Sequence, residues 1–243
     1  MDRAWRKEHS LSLGREMELL VFGHSGPPLV VFPTSGGRFF DFEDHGLVES
    51  LAAPLESGEL RLWCVDSIDQ ESWYNAHAAP RERIRRHQQY EHYIVRELAP
   101  VICRECRTEF LGSMGCSFGG YHALNLALRH PEIFTSAVSL CGAFDLSGFL
   151  EGYCDREAYL HLPTHYLPRL EDPWFLERLR RNTITLFTGL DDPCLEQNRR
   201  MHAILEEKGI PHGFTVWEKE NSHDWPAWKQ MLPVAIRAEH CSH

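Results

Sequence analysis

Short, unbroken apolar runs recur along this chain, and stretches with helical spacing fall between them. "PLVVFP" (28–33) lacks the alternation of a half-exposed strand, and "TSAVSLCG" (135–142) and "TITLFTG" (183–189) read as strands too. A run of this kind is expected of a strand covered on both faces, as in a parallel sheet flanked by helices. "ELRLWCVD" (59–66), "EFLGSM" (109–114) and "GFTVWE" (213–218) read as further strands. Helices are predicted from about Phe42 to Glu56, from Pro80 to about Ile102, and from the stretch after "EFLGSM" to His130, just before Pro131. Two more run from about Cys194 to Lys208, ended by Gly209, and from Trp225 to about Ala238. In the second of the five, Tyr90, Ile94, Leu98 and Val101 fall three or four apart on one face. The arginines at 81, 83, 85 and 86 read as its solvated start. "RAWRKEHSLSL" and "REMELLVFG" flank Gly14 as an opening antiparallel hairpin. The pattern predicts an α/β fold: a mostly parallel central sheet, an N-terminal antiparallel hairpin, and helices on both faces. A chain of 243 residues, 43% of them hydrophobic, suits a single domain over residues 1–243.

Open sheets of this kind place their sites at the carboxyl ends of the strands. That directs attention to "PTSGG", "DSIDQESWYN", "GCSFGG", "GAFD", "GLDDP" and "NSHDW". The glycine-rich segment "GSMGCSFGG" (112–120) is no phosphate cradle. From Gly112 the residue two on is Met114, from Gly115 it is Ser117, and no lysine opens the following helix. Gly115-Cys116-Ser117-Phe118-Gly119 instead fits G-x-S-x-G, a strand-to-helix turn that presents a serine in a strained conformation. Ser113 has Leu111 two residues before it, where the turn needs glycine, so Ser117 is the candidate nucleophile and Ser113 a structural residue.

A serine needs a base, and the base a third group to orient it. On such a sheet the chain order is Ser, acid, His. Asp191 and Asp192 in "TLFTGLDDP" and Asp145 after "SLCGAF" are the candidate acids. His223 follows the last strand and is the candidate base; most of the other histidines fall in predicted helices or polar turns and are expected to be solvated.

The formal net charge of −10 argues against a nucleic-acid partner. No apolar window reaches the roughly eighteen residues of a membrane-spanning helix, and "MDRAWRKEHSLSLGREMELL" has no apolar core of a secretory signal. Of eight cysteines only Cys103 and Cys106 have ligand-pair spacing, and no second pair follows, so no metal site is expected. The others read as free thiols, several in apolar runs, which favours the cytoplasm. A homo-oligomer is compatible with the sequence.

"GCSFGGYHALNLALRHPEIF", "TGLDDP" and "SHDWPAW" together resemble the esterase D-like putative esterases of the α/β-hydrolase superfamily, from about "PLVVFPTSGG" to "HDWPAWKQML". The resemblance implies an α/β-hydrolase fold and a serine carboxylesterase acting on small or medium acyl esters, with no cofactor. It maps the nucleophile onto Ser117 and the base onto His223. The acid, fourth in a G-x-x-D turn, falls on Asp192, with Asp191 as the fallback. Where relatives carry His-Gly or Asp-Gly after the third strand, this chain has "FPTSGG". The oxyanion N–H groups are then expected from Phe118 and from Ser35, with Gly36 as the weaker candidate. The same triad would serve acyl transfer, and the fold alone would also suit a non-catalytic binding protein. Residues 145–181 are rich in aromatics and long enough for a cap or lid. Trp73 and Tyr74 are expected to line the substrate.

Overall fold

A computed structural model describes residues 1–219 and 222–240, with the side chains of residues 238–240 outside the description; Cys241 also lies outside it. Its strands are β1 (Arg3–Ser10), β2 (Arg15–Phe22), β3 (Pro28–Phe32), β4 (Arg61–Val65), β5 (Leu111–Cys116), β6 (Phe134–Leu140), β7 (Thr183–Gly189) and β8 (His212–Trp217). They form one sheet in the order β1-β2-β4-β3-β5-β6-β7-β8. β1 pairs antiparallel with β2, and β2 with β4; every other pairing is parallel. The hairpin turns at Gly14, whose N–H donates to the Ser10 carbonyl and whose φ of +64° suits glycine.

The continuous apolar runs follow from two buried faces. Along β3, Val30 and Phe32 point into one core, and Leu29 and Val31 into the other. The first core is covered by α4 (Pro80–His92), α5 (Ala99–Cys106), α6 (Phe118–Arg129) and α10 (Leu195–Glu207). The second is covered by α1 (Asp41–Asp44), α2 (Leu47–Ser50), α3 (Ala52–Ser57) and α11 (Trp225–His240). Between β6 and β7 lie α7 (Arg156–Leu160), α8 (Pro163–Tyr166) and α9 (Pro173–Leu179) with short 3-10 turns, packed onto the first core through Leu150, Ala158, Leu162 and Leu167. This is the α/β-hydrolase fold, with helices on both faces of the sheet.

Three expectations are corrected. The helix expected over 42–56 is broken into α1, α2 and α3, with Gly46 at φ +73° between the first two. The helix expected from Pro80 to Ile102 continues to Cys106 and widens into a π-helical stretch at Tyr93–Leu98. That widening precedes Pro100, which has no N–H for the ladder and crowds the preceding turn. Arg83 is buried at the start of α4, donating to the carbonyls of Ala76, Ala78 and Phe149 and to Glu151. It ties α4 to residues 149–151 rather than facing solvent.

Candidate active site

β5 ends at Cys116 and α6 begins at Phe118, leaving Ser117 alone in the turn with φ +54° and ψ −119°. The two flanking glycines have a direct steric reason. A Cβ on Gly115 would lie 2.3 Å from the Gly119 carbonyl carbon, and one on Gly119 would lie 2.4 Å from the Phe32 oxygen. The turn therefore closes only with glycine at both places, and the start of α6 is pressed against the end of β3. The Ser117 N–H donates to the Leu140 carbonyl, and the Ser117 carbonyl accepts from Gly120 and Ala143. The strained residue is pinned on both sides.

The Ser117 hydroxyl lies 3.0 Å from His223 Nε2, and His223 Nδ1 lies 2.9 Å from Asp192 Oδ1. Asp192 Oδ1 also accepts from the Cys194 N–H at 2.7 Å, and Oδ2 from the Thr188 hydroxyl at 2.8 Å. Burial opposes the charged carboxylate, yet hydrogen bonds from His223, Cys141, Cys194 and Thr188 together lower its pKa to about 2. Asp192 is thus an anion wherever His223 is asked to act. Asp191 is turned elsewhere: it accepts from the N–H and hydroxyl of Ser222 and so ties down the loop before His223. Asp145 accepts from Ser147 in its own turn. Gly189 allows the approach of that loop, since a Cβ there would lie 1.7 Å from Ser222 Oγ.

The edge of the His223 ring meets Trp228 of α11 at 5.2 Å between centroids, which fixes the ring plane. The single thiol proton of Cys141, a residue at φ +54°, is shared between Asp192 and the Ser222 carbonyl, which lies 3.3 Å from Sγ. Burial pushes that thiol far above the ordinary range, so it is a neutral support and not a second nucleophile. The sequence offered no signal for this role, because "VSLCGAF" reads simply as apolar.

Phe118 is the first residue of α6, and its N–H has no acceptor within the helix. Ser35 lies in a tight turn closed by the Gly37 N–H on the Thr34 carbonyl at 2.9 Å, with Gly36 at φ +66°. The Tyr74 hydroxyl donates to Ser35 Oγ at 2.7 Å, and the Tyr74 ring packs on Phe118 and Phe149 at 5.1 and 4.9 Å. Trp73 is a correction. It is 1% exposed, packed against His87, Tyr121 and Phe149, and so presents no surface to a substrate. Both rings pack on Phe149, but Trp73 continues inward to Tyr121 whereas Tyr74 packs on Phe118 beside the elbow.

Most of the other described histidines are exposed or half-buried, but three are exceptions: His87, His122 and His161 are buried. His122 Nε2 bonds Asp69 Oδ1 at 2.9 Å. Ligand atoms of His87, Glu91 and His161 converge within 4.8 Å. Glu91, however, already holds the Arg129 guanidinium at 2.9 Å and His130 at 2.7 Å, so a cation there would meet a resident positive charge. A cleft of about 700 Å³ lies at the amino ends of β3, β5 and β6, far along the strands from Ser117.

A serine on a strained strand-to-helix turn, within hydrogen-bond reach of a histidine that an ionised aspartate orients, on this sheet, defines the serine-hydrolase class. The chain belongs to the "Putative esterase" family, which it matches over residues 10–238. It is a serine hydrolase of carboxylic ester bonds. No curated relative matches it in sequence. Among solved structures it is similar to a ferulic acid esterase, at 18% identity and a TM-score of 0.78, covering 98% of this chain and 97% of that one. It is also similar to an S-formylglutathione hydrolase from Agrobacterium tumefaciens, at 17% identity and TM-score 0.74, covering 98% and 94%. One from Staphylococcus aureus matches at 17% identity and TM-score 0.72, covering 98% and 96%. At these identities the likeness is one of fold.

Proposed function

We propose that the protein hydrolyses small or medium acyl esters through an acyl-enzyme on Ser117. The observation that carries the proposal is the unbroken chain Ser117–His223–Asp192, with contacts of 3.0 and 2.9 Å. His223 takes the hydroxyl proton as the Ser117 oxygen attacks the ester carbonyl carbon. Asp192 holds the imidazole tautomer and balances the imidazolium. The carbonyl oxygen, now an anion, is met by the N–H groups of Phe118 and Ser35; each such donor supplies about 3 kcal/mol of transition-state stabilisation. As the intermediate collapses, His223 gives its proton to the departing alcohol. Water then enters by the same route in reverse and releases the acid. Tyr74 and Phe149 form the aromatic wall beside the elbow, and residues 145–181 act as the cap. The seven described cysteines are all free, in keeping with a reducing compartment such as the cytoplasm.

The test is hydrolysis of p-nitrophenyl acetate and butyrate by wild type and Ser117→Ala. The variant is expected to lose turnover by roughly 10⁴-fold or more. Equal rates in the two proteins overturn the proposal.

A further inference from the structure

We infer that the segment Asp66–Tyr74, between β4 and α4, is a brace that holds the oxyanion loop Pro33–Phe39 against the nucleophile elbow, with Arg38 and Asp66 as its positioning residues. The inference rests on the reading of Ser117 as nucleophile.

Beyond the single turn contact of the Gly37 N–H on the Thr34 carbonyl, the 34–37 run is weakly constrained by its own composition. Thr34-Ser35-Gly36-Gly37 is a run of small residues, and two adjacent glycines leave the backbone many conformations. An oxyanion donor is useful only if its N–H is aimed before the charge develops. Something outside the loop must therefore hold it.

The brace meets the loop at consecutive positions. Tyr74 donates to Ser35 Oγ at 2.7 Å. Gln70 lies against Gly36, its Nε2 2.6 Å from where a Cβ would stand. Ser67 Oγ donates to the Gly37 carbonyl at 3.3 Å. Asp66 Oδ1 accepts from Arg38 Nε at 2.7 Å, and its carboxylate also takes the backbone N–H groups of Phe39 and Ser67. The brace is in turn fixed to the elbow helix. Asp69 bonds His122, five residues beyond Ser117, whose ring packs on Phe118 at 5.2 Å. The helix that aims the Phe118 N–H and the loop that carries Ser35 are thus gripped by one segment.

The Arg38–Asp66 pair is the strongest grip because it is uneven. The Asp66 side chain is 2% exposed, whereas that of Arg38 is 44% exposed. If the loop swung outward, Arg38 would be solvated at little loss, but Asp66 would be left as a buried carboxylate without its cation. Arg38 is further steadied by Glu18 on β2 at 3.0 Å. Being half exposed, Arg38 can be truncated without opening a core cavity.

Arg38→Ala is expected to lower kcat on p-nitrophenyl butyrate roughly 10- to 100-fold, as for a misaimed oxyanion donor. KM should stay within about two-fold, because ground-state binding is untouched. The acid limb of the pH–rate profile should not move, since Ser117, His223 and Asp192 are intact. Arg38→Lys should recover part of the loss, and Tyr74→Phe should show a smaller fall in kcat. Independently of turnover, hydrogen exchange in peptides covering residues 33–39 should be faster in Arg38→Ala than in wild type. Unchanged exchange, or wild-type kcat, in Arg38→Ala overturns the brace. A fall in kcat that tracks a lowered thermal midpoint and is not recovered by Arg38→Lys also overturns it. Failure of the underlying reading looks different: wild type would then hydrolyse the ester no faster than Ser117→Ala.

Discussion

Two histidine–aspartate pairs close at the same distance. His223–Asp192 and His122–Asp69 are both 2.9 Å long, and both join a histidine to an aspartate from a separate part of the chain. Their surroundings differ. The His223 side chain keeps 24% of its surface exposed, and its second ring nitrogen faces the Ser117 hydroxyl. His122 is 2% exposed and enclosed by Phe32, Tyr90, Phe118 and Tyr121. On the proposed reading the first pair accepts a proton from the reacting hydroxyl and returns it. The second has no reacting group to serve and ties the segment after β4 to α6. A short histidine–carboxylate contact is therefore no mark of catalysis by itself. The third partner and the route to substrate make the difference.

The comparison breaks first, if at all, on the two aspartates. Asp192→Asn keeps the shape of the acid but lets the imidazole adopt the wrong tautomer, and kcat should fall about 10⁴-fold. Asp69→Asn still offers an amide oxygen to His122 and should lower kcat by less than about ten-fold. Turnover of p-nitrophenyl butyrate by the two purified variants decides it. Losses of equal size would mean that the buried pair shares in the chemistry.

A smaller effect separates them by stability. Asp69→Ala leaves the buried His122 nitrogen without its acceptor, which costs about 1–3 kcal/mol. Urea unfolding followed by tryptophan fluorescence should show the midpoint fall at an unchanged slope. An unshifted midpoint would remove the structural role assigned to this pair.

How far these two sites could be read from the chain depends on how local their causes are. The elbow was legible because both glycines fall with Ser117 in one five-residue motif, although only Gly115 is demanded locally, by Gly119; Gly119 is demanded by Phe32 at the end of β3. The order of strands and helices was legible because burial on both faces leaves its pattern in each run. The His223 position was legible from chain order on such a sheet. Asp192 and Asp191 were separable only by resemblance; in space, Gly189 brings the Ser222–His223 loop so close that each aspartate meets a different residue of it. The burial of Trp73, Arg83, His87, His122 and His161 was not legible, because it depends on how the 145–181 segment and α4 pack over the sheet. The Arg38–Asp66 contact joins residues 28 apart in sequence. It exists because β3 and β4 lie side by side in parallel, which no local pattern announces.

The finest test of the contrast is titration of stability, since buried and solvent-touched groups answer acid differently. Burial depresses the His161 pKa from 6.5 to about 3; the Glu91 carboxylate works against that, and Arg129, His130 and His122 add to it. His87 is shifted in the same direction, again chiefly by burial. In the unfolded chain both imidazoles take up protons below about 6.5, while in the folded protein they stay neutral. Their contribution is therefore complete above about 6.5 and declines as pH falls toward the folded values, by about 1.4 kcal/mol per pH unit for each group. Asp192 works in a separate window: its stabilisation is present above 3.8 and is lost only as pH falls toward about 2. Between pH 6.5 and 5 the slope accordingly belongs chiefly to His161 and His87, with His212 and His92, which burial also shifts downward, adding to it. The thermal midpoint should fall steadily over that interval, and His161→Asn should make the fall shallower by removing one titration. A midpoint that stays level from pH 7 to 5, or a slope indifferent to His161→Asn, would show that these imidazoles are already protonated in the folded protein.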